Sequence, residues 1–175
     1  YNLPAKIFNK NVDHLLDLFD LVEWRDHLIE SYSHGMRQKL IMTSVFMLET
    51  PTIIVDEPMV GLDPKSAKIV KELFKNHSSN GGSIFLSTHS LEIAEELCNE
   101  IAIILNGKIR SIGDMDYLRK EANLKNSDLE EVFLELTASE NLKDIIQALK
   151  NNTIMMMLKK NLRLKSLAFL INNNF

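Results

Sequence analysis

Two adjacent acids, Asp56 and Glu57, close an apolar run that reads Thr-Ile-Ile-Val-Asp-Glu-Pro over residues 52–58. A carboxylate pair in that place can do two jobs. One acid can hold a divalent cation through oxygen, and the other can orient or deprotonate a water. Other residues are of types that meet phosphates. Ser33, His34 and Gly35 stand in Tyr-Ser-His-Gly-Met at 32–36, Asp63 in Gly-Leu-Asp-Pro at 61–64, and His89 follows Thr88. A serine hydroxyl can donate to a phosphate oxygen, a glycine lets the backbone approach it, and a helix N-terminus attracts the anion. Taken singly, each residue also has a plainer reading. The acid pair fits a charged turn after a strand, Ser33 and Asp63 fit helix N-caps, and His89 fits a capped loop residue.

The elements that must position these groups can be read from periodicity. Ile53-Ile54-Val55 predicts a short buried strand, and Pro58 blocks its continuation because it has no N–H to donate. In an open α/β sheet, ligands sit outside the carboxyl ends of such strands. Residues 83–87 predict a second strand and 101–105 a third, turned at Asn106-Gly107 into 108–112. Helices are predicted over 12–30 with a break near Trp24, over 36–48, over 66–76 behind Pro64, and over 91–98 behind Ser90. Strand and helix alternate from 52 to 105, which predicts a parallel sheet with flanking helices. Residues before 50 read as helical only. Beyond Asp114 the pattern is again mostly helical, with candidates at 128–136 and 139–150.

Composition sets bounds. The chain has 175 residues and 45% hydrophobic content, enough for one core and an appendage. A net charge of −4 argues against a nucleic-acid surface as the main business. Residues 151–175 carry four basic side chains and no acid, so residues 1–150 carry −8. That tail fits either a membrane-surface segment or a disordered end. Cys98 is the only cysteine, so no internal disulfide framework exists. It reads as a small buried hydrophobe on a helix. No stretch of 18 apolar residues occurs and no signal peptide is visible at the start.

The order and spacing of the short motifs narrow the reading. Gly35 precedes Asp56 by 21 residues, and His89 follows Glu57 by 32. Tyr32–Gln38, Ile53–Glu57, Gly61–Pro64 and Thr88–His89 together resemble the nucleotide-binding domain of ABC transporters, over roughly residues 10–137. The resemblance implies a P-loop NTPase-like α/β fold: a parallel sheet with flanking helices and a helical subdomain, here incomplete at the N-terminus. It implies a division into a helical subdomain at 1–50, the C-terminal part of the ATPase core at 51–137, and a helical extension with a basic tail at 138–175. Ser33, His34 and Gly35 then stand in the signature motif, usually Leu-Ser-Gly-Gly-Gln, and are implied to contact a nucleotide, as is Asp63 of the D-loop. Asp56 is implied to hold Mg²⁺, Glu57 to activate the attacking water, and His89 to meet the γ-phosphate of ATP. The implied partners are a second nucleotide-binding domain and a membrane permease, at the inner face of the cell membrane. Tyr-Ser-His-Gly-Met and Asp128–Leu136 are similar to segments of type-two exporter ATPases.

None of the six glycines forms Gly-x-x-x-x-Gly-Lys-Ser/Thr, so the chain contains no Walker A loop. Neither glutamine, Gln38 or Gln147, precedes the helical segment as a Q-loop residue should. The expectation is a chain inactive alone. Two further readings stay open: a non-catalytic partner that lends its signature motif and D-loop to a complete ATPase, and a soluble ABC ATPase unrelated to transport.

Overall fold

The computed structural model describes residues 5–137, so the candidate helix at 139–150 and the basic tail lie outside the described residues. The chain divides between Asn99 and Glu100 into two units.

The first unit opens with helix α1, Ala5–Leu18. The single helix expected over 12–30 ends there. Asp20 adopts a left-handed φ of 56°, and two 3-10 turns follow at Val22–Trp24 and Ile29–Ser31. The turn lets both Phe19 and Leu21 enter the core, a spacing that a continued helix would not place on one face. Tyr32 is buried, and its hydroxyl donates to the Trp24 carbonyl at 2.7 Å.

Helix α2 spans His34–Met47, strand β1 Thr52–Asp56, helix α3 Pro64–Ser79, strand β2 Ser83–Ser87 and helix α4 Leu91–Leu97. Asp63 caps α3 by accepting from the Ser66 N–H, and Pro64 follows at an early position, where its missing N–H costs nothing. Ser90 stands before α4, but its side chain makes no capping bond.

Strands β1 and β2 pair in parallel, Thr52 opposite Ser83 through Asp56 opposite Ser87. Ile53 and Val55 turn toward a core formed with Leu16, Phe19, Leu21, Tyr32, Met42, Val70 and Phe74. The opposite face is open, so the strand is half-buried and not buried on both faces. Ile54 is 75% exposed and its register partner Phe85 68% exposed.

The second unit holds strand β3, Ile101–Leu105, strand β4, Lys108–Gly113, helix α5, Met115–Glu121, and helix α6, Leu129–Thr137. The third strand therefore does not extend the parallel pair. It forms an antiparallel hairpin with β4, with a register shift between Ile103 and Ile104. The expected turn is present. Asn106 and Gly107 both have positive φ, 52° and 73°, the geometry of a two-residue type I′ turn. Local pairing across that turn closes without a crossover. Leu118, Leu129 and Val132 are fully buried in this unit, and Asp114 caps α5 through the Tyr117 N–H at 2.8 Å.

Candidate functional site at the carboxyl ends of the parallel strands

The parallel register decides what meets the two acids. Asp56 ends β1 directly opposite Ser87, which ends β2. The Ser87 hydroxyl donates to Asp56 Oδ1. One residue on, the Glu57 N–H bonds the Ser87 carbonyl at 2.9 Å, and the Thr88 hydroxyl donates to Glu57 Oε2 at 3.2 Å. Each acid thus has a hydroxyl partner 31 residues later in the chain.

Glu57 carries the most contacts. Its Oε1 accepts from the His89 backbone N–H at 2.9 Å and lies 2.7 Å from His89 Nδ1. With Nδ1 protonated the ring is a second donor to the same oxygen. The ring bond comes first, with the His89 N–H and Thr88 bonds assisting against the opposing effect of burial. Together they hold the Glu57 carboxyl below the usual glutamate range. The Glu57 backbone is in the left-handed region, with φ 46°. For a residue with a Cβ this costs on the order of 1–3 kcal/mol, and such residues persist where the surroundings over-determine them. The bonds just described are part of that surrounding.

The segment Tyr32–Met36 forms the N-terminal turn of α2. Ser33 is its N-cap, accepting from the Met36 N–H at 3.3 Å. This turn packs on the loop that follows Glu57. A Cβ on Gly35 would stand 2.7 Å from the Gly61 carbonyl oxygen, so only glycine allows the approach. The His34 ring lies against Gly61, which has φ +79°. Among the described residues no hydrogen bond joins Ser33, His34 or Gly35 to Asp56, Glu57 or His89. The structure therefore makes two groups: Asp56, Glu57 and His89 at the strand ends, and Ser33–Gly35 at the start of α2, packed on Gly61 of the loop that follows Glu57.

Asp63 belongs to that second group. It pairs with Lys39 at 2.8 Å and accepts from the Ser66 N–H and hydroxyl at 2.9 and 2.8 Å. The Lys39 ammonium, followed by the Ser66 donors, holds its carboxyl well below the usual aspartate range.

Four contact residues carry no role in the sequence reading: Gln38, Lys39, Ser87 and Thr88. Gln38 donates to the carbonyls of Glu57 and Pro58 at 3.4 and 3.1 Å. The signal for the hydroxyl pair was present. If β1 and β2 pair in parallel with aligned starts, two hydroxyls at 87–88 must face two acids at 56–57. Cys98 is half-buried at the end of α4, and burial raises its thiol pKa, which suits packing and not nucleophilic chemistry.

The oxygen set of Asp56 and Ser87 suits Mg²⁺, which is held by one or two carboxylates together with substrate phosphates. Among the described residues no cluster of three His, Cys, Asp or Glu side chains could cage a metal by itself.

An acid pair at the carboxyl end of a parallel strand, held from the next strand, suits a nucleotide hydrolase with a P-loop NTPase fold. Comparison with known proteins agrees. The family model described as an AAA domain, putative AbiEii toxin, type IV TA system, matches residues 14–95. EcsA, an ABC-type transporter ATP-binding protein of Bacillus subtilis (strain 168), is 31% identical over 140 residues, which are 80% of this chain and 57% of EcsA. A solved ATP-binding subunit of an ABC transporter matches with TM-score 0.74 at 33% identity, covering 78% of this chain and 57% of that one. A dimeric ATP-binding cassette in a post-hydrolysis state, bound to ADP and Pi, matches with TM-score 0.58 at 19% identity. It covers 66% of this chain and 51% of its own, and bears on the fold alone. The chain belongs to the family of ABC transporter ATP-binding proteins. It spans 57% of the length of EcsA and of the solved ATP-binding subunit alike.

Proposed function

We propose that this chain is the catalytic-acid portion of an ABC transporter ATPase subunit, working with a membrane permease at the inner face of the cell membrane and exporting its substrate. The observation that carries the reading is the Glu57 carboxylate, fixed at a strand end by Thr88 and His89 beside Asp56. Of the four lone-pair sites on Glu57, Oε1 gives two to His89 and Oε2 gives one to Thr88. One site on Oε2 is left to accept from a water and orient it, and a carboxylate ionised at neutral pH can take its proton. Asp56, with its second oxygen free of Ser87, holds Mg²⁺ through oxygen. When bound, Mg²⁺ neutralises charge on the β- and γ-phosphates of ATP. His89, 79% exposed at its side chain, can present its far ring nitrogen to a phosphate oxygen.

Ser33, His34, Gly35 and Asp63 take the second role. Ser33–Gly35 at the start of α2 and Asp63 at the start of α3 flank the far side of the loop and serve a nucleotide held by a second nucleotide-binding domain. The exposed Ser33 hydroxyl and the N-terminus of the 14-residue helix α2 are donors suited to a phosphate. Export as the direction rests on the likeness of Tyr32–Met36 and Asp128–Leu136 to type-two exporter ATPases.

With no Walker A loop in the sequence, the chain alone has too few phosphate donors to hold ATP. Purified residues 1–175 are expected to release no phosphate from Mg-ATP above background. Phosphate release by the isolated chain, abolished by Glu57→Gln, would contradict this.

A further inference from the structure

Glu57 is held at both ends, and only one end belongs to the hydrolytic site. Its carboxylate is bonded by Thr88 and His89 from the end of β2. Its backbone, in the left-handed conformation, is bonded from α2. The Gln38 side-chain amide reaches the Glu57 carbonyl at 3.4 Å and the Pro58 carbonyl at 3.1 Å. An amide nitrogen carries two N–H donors, one for each carbonyl. The Glu57 carbonyl also closes a turn with the Val60 N–H at 3.2 Å, so the tether meets the loop where the chain reverses. The same helix meets this loop twice more. Gly35 and His34 pack on Gly61, and Lys39 pairs with Asp63.

We propose that Gln38 is a positioning residue for Glu57. By bonding two successive carbonyls it fixes the left-handed turn that aims the Glu57 carboxylate at Thr88 and His89, and it ties that aim to the segment Ser33–Met36 at the start of its own helix. The proposal rests on reading Glu57 as the water-activating acid, but its geometry does not need nucleotide. Glutamate at position 38 keeps size and shape while setting a carboxylate against two carbonyls, and lysine restores a donor of comparable reach.

The test is amide hydrogen exchange by NMR on the full chain without nucleotide. In the wild type, the Gln38 side-chain amide protons exchange about tenfold or more slowly than those of free glutamine. Exchange at the free rate overturns the proposal, whatever the variants do. The His89 backbone N–H reports the Glu57 carboxylate, its acceptor at 2.9 Å. In Gln38→Glu its exchange rises about tenfold while the β1–β2 ladder amides keep their rates, and Gln38→Lys returns it toward wild type. An unchanged His89 rate in folded Gln38→Glu overturns the proposal. So does an equal rise across the ladder, which would mean general destabilisation. Should Gln38→Glu fail to fold, the wild-type side-chain measurement decides. An ATPase test that fails on Glu57 leaves these rates untouched, so the two readings fail separately.

Discussion

At the scale of single residues, several groups serve structure and site at once. Asp63 is the N-cap of α3 and the partner of Lys39, and we propose that it also serves as the D-loop acid. Asp63→Ala is expected to lower stability by about 1–2 kcal/mol through loss of the cap, measured by urea denaturation. Asp63→Asn keeps an acceptor for the Ser66 N–H but loses the charge. The sign of the pH effect follows from the depressed carboxyl. Because the folded-state value lies below the ordinary 3.8, the contribution is fully present above that value and fades as pH falls through the folded one. The stability gap between wild type and Asp63→Asn should therefore be largest at neutral pH, begin to narrow as pH falls below about 3.8, and go on narrowing as pH falls toward the lower folded-state value. That Asp56, Glu57 and His89 belong together could be read from residue type and order, and the structure brings them to adjoining strand ends. Their partners could not, because Gln38, Ser87 and Thr88 have no distinctive spacing until the register of two strands is known. Gln38 stands in the Tyr32–Gln38 motif without a role that its position reveals, and it donates to the Glu57 and Pro58 carbonyls.

At the scale of elements, the alternation of apolar residues predicted where most strands and helices lie, and helix starts followed the expected cap chemistry at Ser33 and Asp63, while Ser90 before α4 makes no capping bond. Two elements departed from expectation for identifiable reasons. The first helix stopped at Leu18 because a left-handed Asp20 redirects Phe19 and Leu21 into the core, and local periodicity cannot register that turn. Strand β3 left the parallel sheet because the Asn106-Gly107 turn delivers β4 as an immediate neighbour, and a two-residue connection closes before a crossover can. Helix α3 holds the site from below, with Val70 and Phe74 packed beneath β1 and β2 in the core with Ile53 and Val55. Phe74→Ala should cost about 3–5 kcal/mol, read as a shift in the urea midpoint, with the β1–β2 amides losing protection together.

At the scale of the whole molecule, the first unit presents an apolar strand face. Ile54 and Phe85 face solvent side by side, and both outer edges of the two-stranded sheet are unpaired among the described residues. Such a face drives association. The chain is expected to self-associate in sedimentation velocity at micromolar concentration, and Phe85→Lys to shift it toward monomer. Asp56 ends the same face of β1 on which Ile54 lies, since alternate residues share a face. A polypeptide covering Ile54 and Phe85 would thus bring its own groups beside Asp56, the acid proposed to hold Mg²⁺. The central claim, that Glu57 is the hydrolytic acid of an ABC ATPase, is tested most directly by complementation. The chain is combined with a second polypeptide that supplies a Gly-x-x-x-x-Gly-Lys-Ser/Thr loop, and phosphate release from Mg-ATP is measured for wild type and Glu57→Gln. The account predicts release by the wild-type mixture and a loss of about 100-fold or more in Glu57→Gln with nucleotide binding retained. Equal release by the two mixtures would contradict it.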